Sequence, residues 1–196
     1  MITVNIRPYD CCDRWRFYRD WLPGKTLAVH LVGKCKMNPT ARNRAKYAIK
    51  HGYSVSERAW SEWNDHRDDI YQINTSAPVR QRNPMNPAYF DYPDMKIIDN
   101  PCTHKYLLVS VDLGGKWVAY AILHAMHELM NISTIIGHTD YWKDGIMPVL
   151  LSGIIETAER HGVKVIDYGT WDSGTDGLRY FKHSGGFFPA KVNEIG

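Results

Sequence analysis

The sequence predicts a mixed α/β fold in which a mostly antiparallel central sheet is flanked by helices. Three observations carry that prediction. The apolar runs KYLLVSVD and WVAYAILHAMHEL flank LGGK, and Gly114–Gly115 is a strong hairpin signal. Between Gly145 and Arg160, Ile146, Val149, Leu150, Ile154 and Ala158 recur at helical spacing. That helix lies between two β-type runs, NISTIIGH and HGVKVIDYG.

The other elements follow in chain order. ITVNI alternates like a first strand. TARNRAKYAIKHG follows Asn38–Pro39 and reads as a helix, with Thr40 as N-cap and Gly52 as the stop. YSVS is a short strand, and Glu57 to Tyr71 a second helix carrying Trp60, Trp63 and Ile70. From Asn74 to Pro101 the chain is rich in Pro and Asn, and five of its ten prolines lie between Pro78 and Pro101. Little regular structure is expected there, and a connection of that length usually binds or covers something. TDGLRYFKHSG forms a short helix with an acidic first turn, and GFFPAKVNEI a final strand. VAYAILHAMHELM also has good helix propensity, which would pair His124 with His127 as metal ligands. The preceding Gly-Gly turn favours a strand, on which the two histidines face opposite sides and no metal site forms.

With 196 residues, 44% hydrophobic and 23% charged, the chain has the statistics of a single domain spanning 1–196. The formal charge of +3 is too small to announce a nucleic-acid partner by itself. Every charged residue of segment 34–50 is Lys or Arg, which reads either as a basic patch for nucleic acid or as a solvated helix face. Cys11, Cys12, Cys35 and Cys102 are irregularly spaced, which suits reduced thiols better than a disulfide framework or a zinc knuckle. No apolar h-region opens the chain and no run approaches a membrane span, so a cytoplasmic protein without a membrane partner is expected. No P-loop, G-x-G-x-x-G, G-x-S-x-G or H-E-x-x-H occurs.

The order of hairpin strands, long helix, buried strand, short helix and final strand resembles the GNAT superfamily of acyl-CoA-dependent N-acyltransferases, over about residues 104–196. The resemblance makes 104–196 the donor-binding half, and 1–103 the half with the basic helix and a Pro-rich substrate loop. In that family a Q/R-x-x-G-x-G/A loop and the following helix N-terminus take the cofactor pyrophosphate, because orphan amides and the helix dipole favour an anion. Here Trp142 stands where Gln or Arg is usual, Gly145 matches the first glycine, and Met147 stands for the second, followed by Pro148. The resemblance implies acetyl-CoA or another acyl-CoA held by Ile136, Gly137, Trp142, Lys143, Asp144, Gly145, Ile146 and Met147. GLRYFKHSGGF, Gly177 to Phe187, is similar to the ending of the Fem-like aminoacyl transferases, relatives that take an aminoacyl group from charged tRNA.

Acyl transfer to an amine needs a deprotonated nucleophile, donors for an oxyanion, and a protonated leaving group. His138 at the mouth of the implied cleft is either the base or the cap of a turn. Tyr180 approximates the family's Tyr general acid or packs in the core. Asp172 is a catalytic carboxylate or a helix N-cap, and Asp167 a carboxylate for the amine. Asn74, Ser76, Arg80 and Arg82 cluster in INTSAPVRQRNPM as a substrate contact or as an ordered cover. The expected function is N-acyl or aminoacyl transfer to an amine acceptor by direct attack through a tetrahedral intermediate. The alternatives are a phage-type nucleic-acid base-modifying enzyme (DNA modification on a GNAT-like fold) and a binding or inhibitory protein that kept the fold.

Overall fold

The computed structural model describes residues 2–6, 24–80, 82–95 and 105–194. Cys11, Cys12 and Cys102, and the stretch 96–101 of the Pro- and Asn-rich connection, lie outside the described residues. Cys35 carries a free thiol. No helix among the described residues is long and apolar enough to cross a membrane.

The elements are β1 (Ile2–Ile6), β2 (Leu27–Leu31), α1 (Pro39–Lys50), β3 (Tyr53–Arg58), α2 (Trp60–Asp65) and α3 (Arg67–Thr75). A two-stranded ribbon, β4 (Val79–Arg80) with β5 (Asn83–Pro84), and a 3-10 turn, Pro87–Tyr89, interrupt the irregular connection. There follow β6 (Lys105–Leu113), β7 (Lys116–Met126), β8 (Leu129–Gly137), the 3-10 turn Thr139–Asp144, α4 (Ile146–Arg160), β9 (Val165–Thr170), α5 (Asp176–Ser184) and β10 (Phe188–Glu194). One eight-stranded sheet runs β1-β10-β2-β9-β8-β7-β6-β3. It is antiparallel except at β1–β10 and β8–β9, so the expected mixed, mostly antiparallel sheet flanked by helices is what forms.

The hairpin β6–β7 turns on Gly114 and Gly115, whose φ values of 61° and 85° suit the tight turn that joins twisted strands. Two sequence expectations are corrected here. The strand read as WVAYAILHAMHEL stops at Met126 and the next begins at Leu129, because Met126 pairs with Leu129 and His127 takes φ 53° in the turn. The helix expected from Glu57 to Tyr71 is replaced by the end of β3, whose Arg58 pairs with Leu108, and by two helices that break at His66. His66 leaves helical geometry at φ −109°, ψ 22°, and its ring stacks on Trp117 at 4.4 Å while Nδ1 bonds Asp69. The cap of α1 also moves: Asn38, not Thr40, accepts from Ala41 N at 2.8 Å, with Pro39 at the first helical position.

Helix α1 buries Ala41, Ala45 and Ala48, small residues that let it lie close against α4. On that face α4 contributes Ile146, Val149, Leu150, Ile154 and Ala158 to the main core. On the opposite face Trp63, Ile70 and Ile73 of α2 and α3 pack on Leu108, Trp117, Tyr120 and Ile136. Strand β2, LAVHL, was not foreseen; it enters between β10 and β9 with Leu27, Ala28 and Val29 fully buried.

Candidate active site

Strands β8 and β9 pair in parallel only at Leu129–Val165, Met130–Ile166 and Asn131–Asp167. Beyond that point they part, and Ser133 is an unmatched bulge residue on β8. A cleft of about 340 Å³ fills the opening. Ile135, Ile136 and Gly137 of β8, Tyr168 of β9, and Leu178 and Phe181 of α5 form its walls. Arg80, Trp142 and Met147 close the remaining side.

Gly137 sits at the centre of this arrangement. His138 N donates to Val118 O of β7 at 2.8 Å. Antiparallel alternation then turns the amide and carbonyl of Gly137 away from β7, toward the cleft. The Gly137 carbonyl accepts from Arg80 Nη1 at 2.9 Å and from Trp142 Nε1 at 3.1 Å. A Cβ on Gly137 would lie 2.6 Å from Met147 Sδ and 2.9 Å from Ile146 Cδ1, so the glycine gives α4 its close approach.

Arg80 pins the Pro-rich loop to the end of β8. Its Nη2 donates to Ile73 O and to Ser76 Oγ, both at 2.8 Å, while its guanidinium lies 5.6 Å from the Trp142 ring. Ser76 Oγ also accepts from Thr139 N at 3.2 Å, and Ser76 O from Thr139 Oγ1 at 2.9 Å. Burial lowers the Arg80 pKa, and its Nε is buried without an acceptor. Arg80→Lys keeps the charge but cannot span three acceptors. We expect a stability loss of about 1–2 kcal/mol in urea unfolding, and an unchanged midpoint would remove the pin.

The other predicted residues separate into groups. Asn74 is in the core, accepting from Tyr120 Oη at 2.8 Å, and Arg82 is exposed at φ 64°. His138 caps the 3-10 turn: its Nδ1 accepts from Asp140 N at 3.3 Å, and its ring packs on Tyr141. That contact gives Nδ1 a place in the turn. Asp172 is exposed, and Tyr180 is 61% exposed beside a neighbouring groove rather than in the cleft. Asp167 is fully buried, with Oδ2 accepting from Asn131 Nδ2 at 2.9 Å and Oδ1 without a partner. Burial pushes its carboxyl up to about 6. Asp167 faces the side of the sheet opposite Ile166, so along the strand it points away from Tyr168.

The donor loop uses its residues differently from the family pattern. Gly145 adopts φ 91°, and a Cβ there would meet Arg44 O at 2.9 Å, so this glycine serves packing against α1. Arg44 Nη2 donates to Trp142 O and Lys143 O, both at 3.2 Å. Asp144 accepts from Tyr53 Oη at 2.6 Å and is thereby drawn off the loop's anion side. Ile146 and Met147 are in the first turn of α4, where amides have no intrahelical acceptor, and Pro148 contributes none.

Two residues escaped the sequence reading. Tyr168 lines the cleft, and its hydroxyl has no hydrogen-bond partner among the described residues; burial raises its pKa. Lys182 is buried, donating from Nζ to Thr170 O at 2.6 Å and lying 5.5 Å from the Tyr168 ring. Burial lowers its pKa. Both lie inside the stretches HGVKVIDYG and GLRYFKHSGGF, but only the splaying of β8 from β9 gives Tyr168 a cleft to face.

No curated protein matches this chain in sequence. Among solved structures, FemX shares the fold with a TM-score of 0.61 at 11% identity, over 85% of this chain and 59% of that one. L-PGS from Bacillus licheniformis gives 0.53 at 13% identity, over 82% and 50%. A conserved protein of unknown function from Bacteroides thetaiotaomicron gives 0.56 at 15%, over 89% and 63%. The chain thus spans less than two thirds of the length of each of these structures. Residues 46–187 match the model described as the acetyltransferase (GNAT) family, a range reaching well upstream of the C-terminal half that carried the sequence resemblance. That range includes both walls of the cleft and the loop before α4, and the chain belongs to the acetyltransferase (GNAT) family.

Proposed function

We propose that this GNAT-type N-acyltransferase moves an acyl or aminoacyl group onto an amine in the cleft between β8 and β9, by direct attack of nitrogen on the acyl carbon. The carrying observation is the Gly137 backbone, turned toward the cleft and facing a wall that holds the protonated Tyr168. The Gly137 N–H donates to the acyl oxygen as negative charge develops there. The C–N bond forms first. As the tetrahedral intermediate collapses and the bond to the donor breaks, Tyr168 Oη gives its proton to the departing group, and the proton that the attacking nitrogen sheds restores the phenol through solvent. The acceptor enters as the free amine, its ammonium proton already shed to solvent, with His138 serving as the cap of the turn. Arg80 and Trp142 hold the Gly137 carbonyl so that the neighbouring amide keeps its direction.

An acyl-CoA supplies an activated thioester, and the residues present fit such a donor. The cleft takes the acyl-bearing arm. The amides of Ile146 and Met147, with the side chains of Arg44 and Lys143 beside them, would hold the pyrophosphate. Charge here replaces the second glycine of the family pattern.

Calorimetric titration with acetyl-CoA and CoA, followed by thiol release in the presence of a panel of primary amines, tests the reading. Saturable binding and amine-dependent release are expected. Tyr168→Phe should then lower kcat roughly 100-fold, with the KM for the amine nearly unchanged. Wild-type protein that releases no thiol with any amine, or a Tyr168→Phe variant as fast as wild type, would sink it. A second reading, a nucleic acid as the substrate, is favoured by α1, whose charged residues are all basic and form no ion pair among the described residues.

A further inference from the structure

Among the residues that line the cleft, Arg80 alone carries a charge. All its hydrogen-bond acceptors are neutral: the carbonyls of Gly137 and Ile73, and Ser76 Oγ. It forms no ion pair among the described residues. Acids on neighbouring elements have other partners. Asp69 of α3 bonds His66 and the Trp117 N–H, Asp140 lies 3.9 Å from His138, and Asp144 accepts from Tyr53. Tyr120 would favour the Arg80 charge only as a phenolate, and burial keeps it a phenol.

Holding the Gly137 carbonyl does not require that charge, since Trp142 Nε1 does the same with a neutral donor. A cation withdrawn from water without a counterion is costly, and a ligand that brings the counterion offsets the cost. Place decides which ligand. Arg80 follows α3, which packs on the face of the sheet opposite α1 and α4. The donor phosphates have cations of their own, Arg44 and Lys143, on the α1 side. Arg80 is left for the acceptor. It bonds the carbonyl of the same residue whose amide faces the acyl oxygen, so the counterion and the attacking nitrogen belong close together.

We propose that the acceptor is an amino acid, whose carboxylate pairs with Arg80 while its amine attacks the acyl carbon. The proposal rests on the acyl transfer of the preceding section and adds the class of acceptor. Arg80 Nη1 carries a second N–H beyond the one given to Gly137, and a carboxylate oxygen accepts it with the strength that charge adds. Ile135, Ile136, Met147, Leu178 and Phe181 make most of the remaining wall apolar, so nothing in it would hold a second cation. Diamines are therefore poor acceptors, because they bring positive charge to a wall that already has one. A phosphate on the amine would satisfy the same guanidinium, and the test separates the two anions.

Thiol release from acetyl-CoA is measured with a panel of amino acids, each beside its decarboxylated amine, and with phosphoethanolamine and putrescine. Rates are referred to the free-base fraction of each amine, because a carboxylate also lowers amine basicity. For the best pair, kcat/KM in the wild type should favour the amino acid by at least ~10-fold, with putrescine as slow as the decarboxylated amines. Arg80→Gln should bring that ratio to within about twofold. Loss of the loop's pin slows both members of a pair and leaves their ratio alone. Where thermal melts show that Arg80→Gln has not folded, the wild-type ratios decide. Equal kcat/KM within every pair, a preference that survives Arg80→Gln, or phosphoethanolamine ahead of every amino acid would overturn the proposal. Calorimetric titration of the same panel onto the wild type separates the two claims. Thiol release without a carboxylate preference keeps the acyltransferase and removes the amino acid. Amino acids that bind while their decarboxylated amines do not, with no thiol released, remove the acetyl-CoA reaction and keep the carboxylate site. Neither release nor preferential binding overturns both.

Discussion

Replacing Asp167 by Asn should raise the melting temperature at pH 8 and leave it unchanged near pH 4. The Asp167 carboxyl is fully buried, and its value rises from 3.8 to about 6, with burial as the largest cause. The folded state therefore holds this proton more tightly than the unfolded chain does. The stability that this proton brings is present below about pH 4 and is lost as pH climbs through 6. The gap between 3.8 and about 6 corresponds to a loss of about 3 kcal/mol by neutral pH. Asn keeps an oxygen for Asn131 Nδ2 and cannot ionise, so it avoids that loss. Part of the gain is returned, because the Asp167 charge favours the buried ammonium of Lys182, which would lose it. A net rise of about 2–6 °C at pH 8 is the expected result. Parallel melting curves for the two proteins between pH 4 and pH 8 would show that the carboxyl does not titrate in this range. The same variant tests the amine-binding role expected from the sequence. A side chain that points away from Tyr168 should leave the KM for the amine alone, whereas a severalfold rise would place the substrate amine at Asp167.

What the sequence made legible was local. The β6–β7 turn, α4, β9, α5 and β10 are each announced by their own periodicity or by glycines, and they form where expected. Strand β2 is only five residues long and has His30 within it, so nothing local distinguishes it from a loop. Its burial comes from neighbours more than a hundred residues away, and His30 Nδ1 donates to Gly185 O at 3.0 Å. The turn at His127 has no glycine and left-handed geometry, so the pattern ran straight through it. The site divides in the same way. Arg80 was chosen for its chemistry and Gly137, Trp142 and Met147 from the family resemblance, and the four meet in one cleft. His138 was chosen as a base at the mouth of that cleft and Tyr180 for its position in a family pattern. One is turned into a cap and the other into solvent by side-chain directions that no spacing rule fixes. Tyr168 is visible only once strand alternation and the parting of β8 from β9 are both known.

The glycines of GLRYFKHSGGF make the last case, because the structure assigns them unequal tasks. Gly186 follows the end of α5 at φ 79°, with its N–H donating to His183 O and the Phe187 N–H donating to Lys182 O, both at 3.0 Å. Those two bonds form the Schellman cap that a left-handed glycine completes. A Cβ on Gly186 would also lie 2.5 Å from Lys36 O, a backbone atom that cannot swing aside. Gly186→Ala combines left-handed strain of about 1–2 kcal/mol with a backbone shift of about 1–3 kcal/mol, for an expected loss of about 3–4 kcal/mol. At Gly177 a Cβ would meet only Thr175 Oγ1, at 3.7 Å, so Gly177→Ala should cost nothing and lend α5 a small gain in propensity. Urea midpoints for the two variants decide the matter. A sharp drop for Gly186→Ala beside an unchanged or raised value for Gly177→Ala would show that the final glycine pair ends a helix. It would then hold Phe181 and Lys182 against Tyr168 through packing, with no role in the chemistry itself. Equal, small effects at both positions would mean that the corner yields, and the motif would need a reason drawn from the reaction.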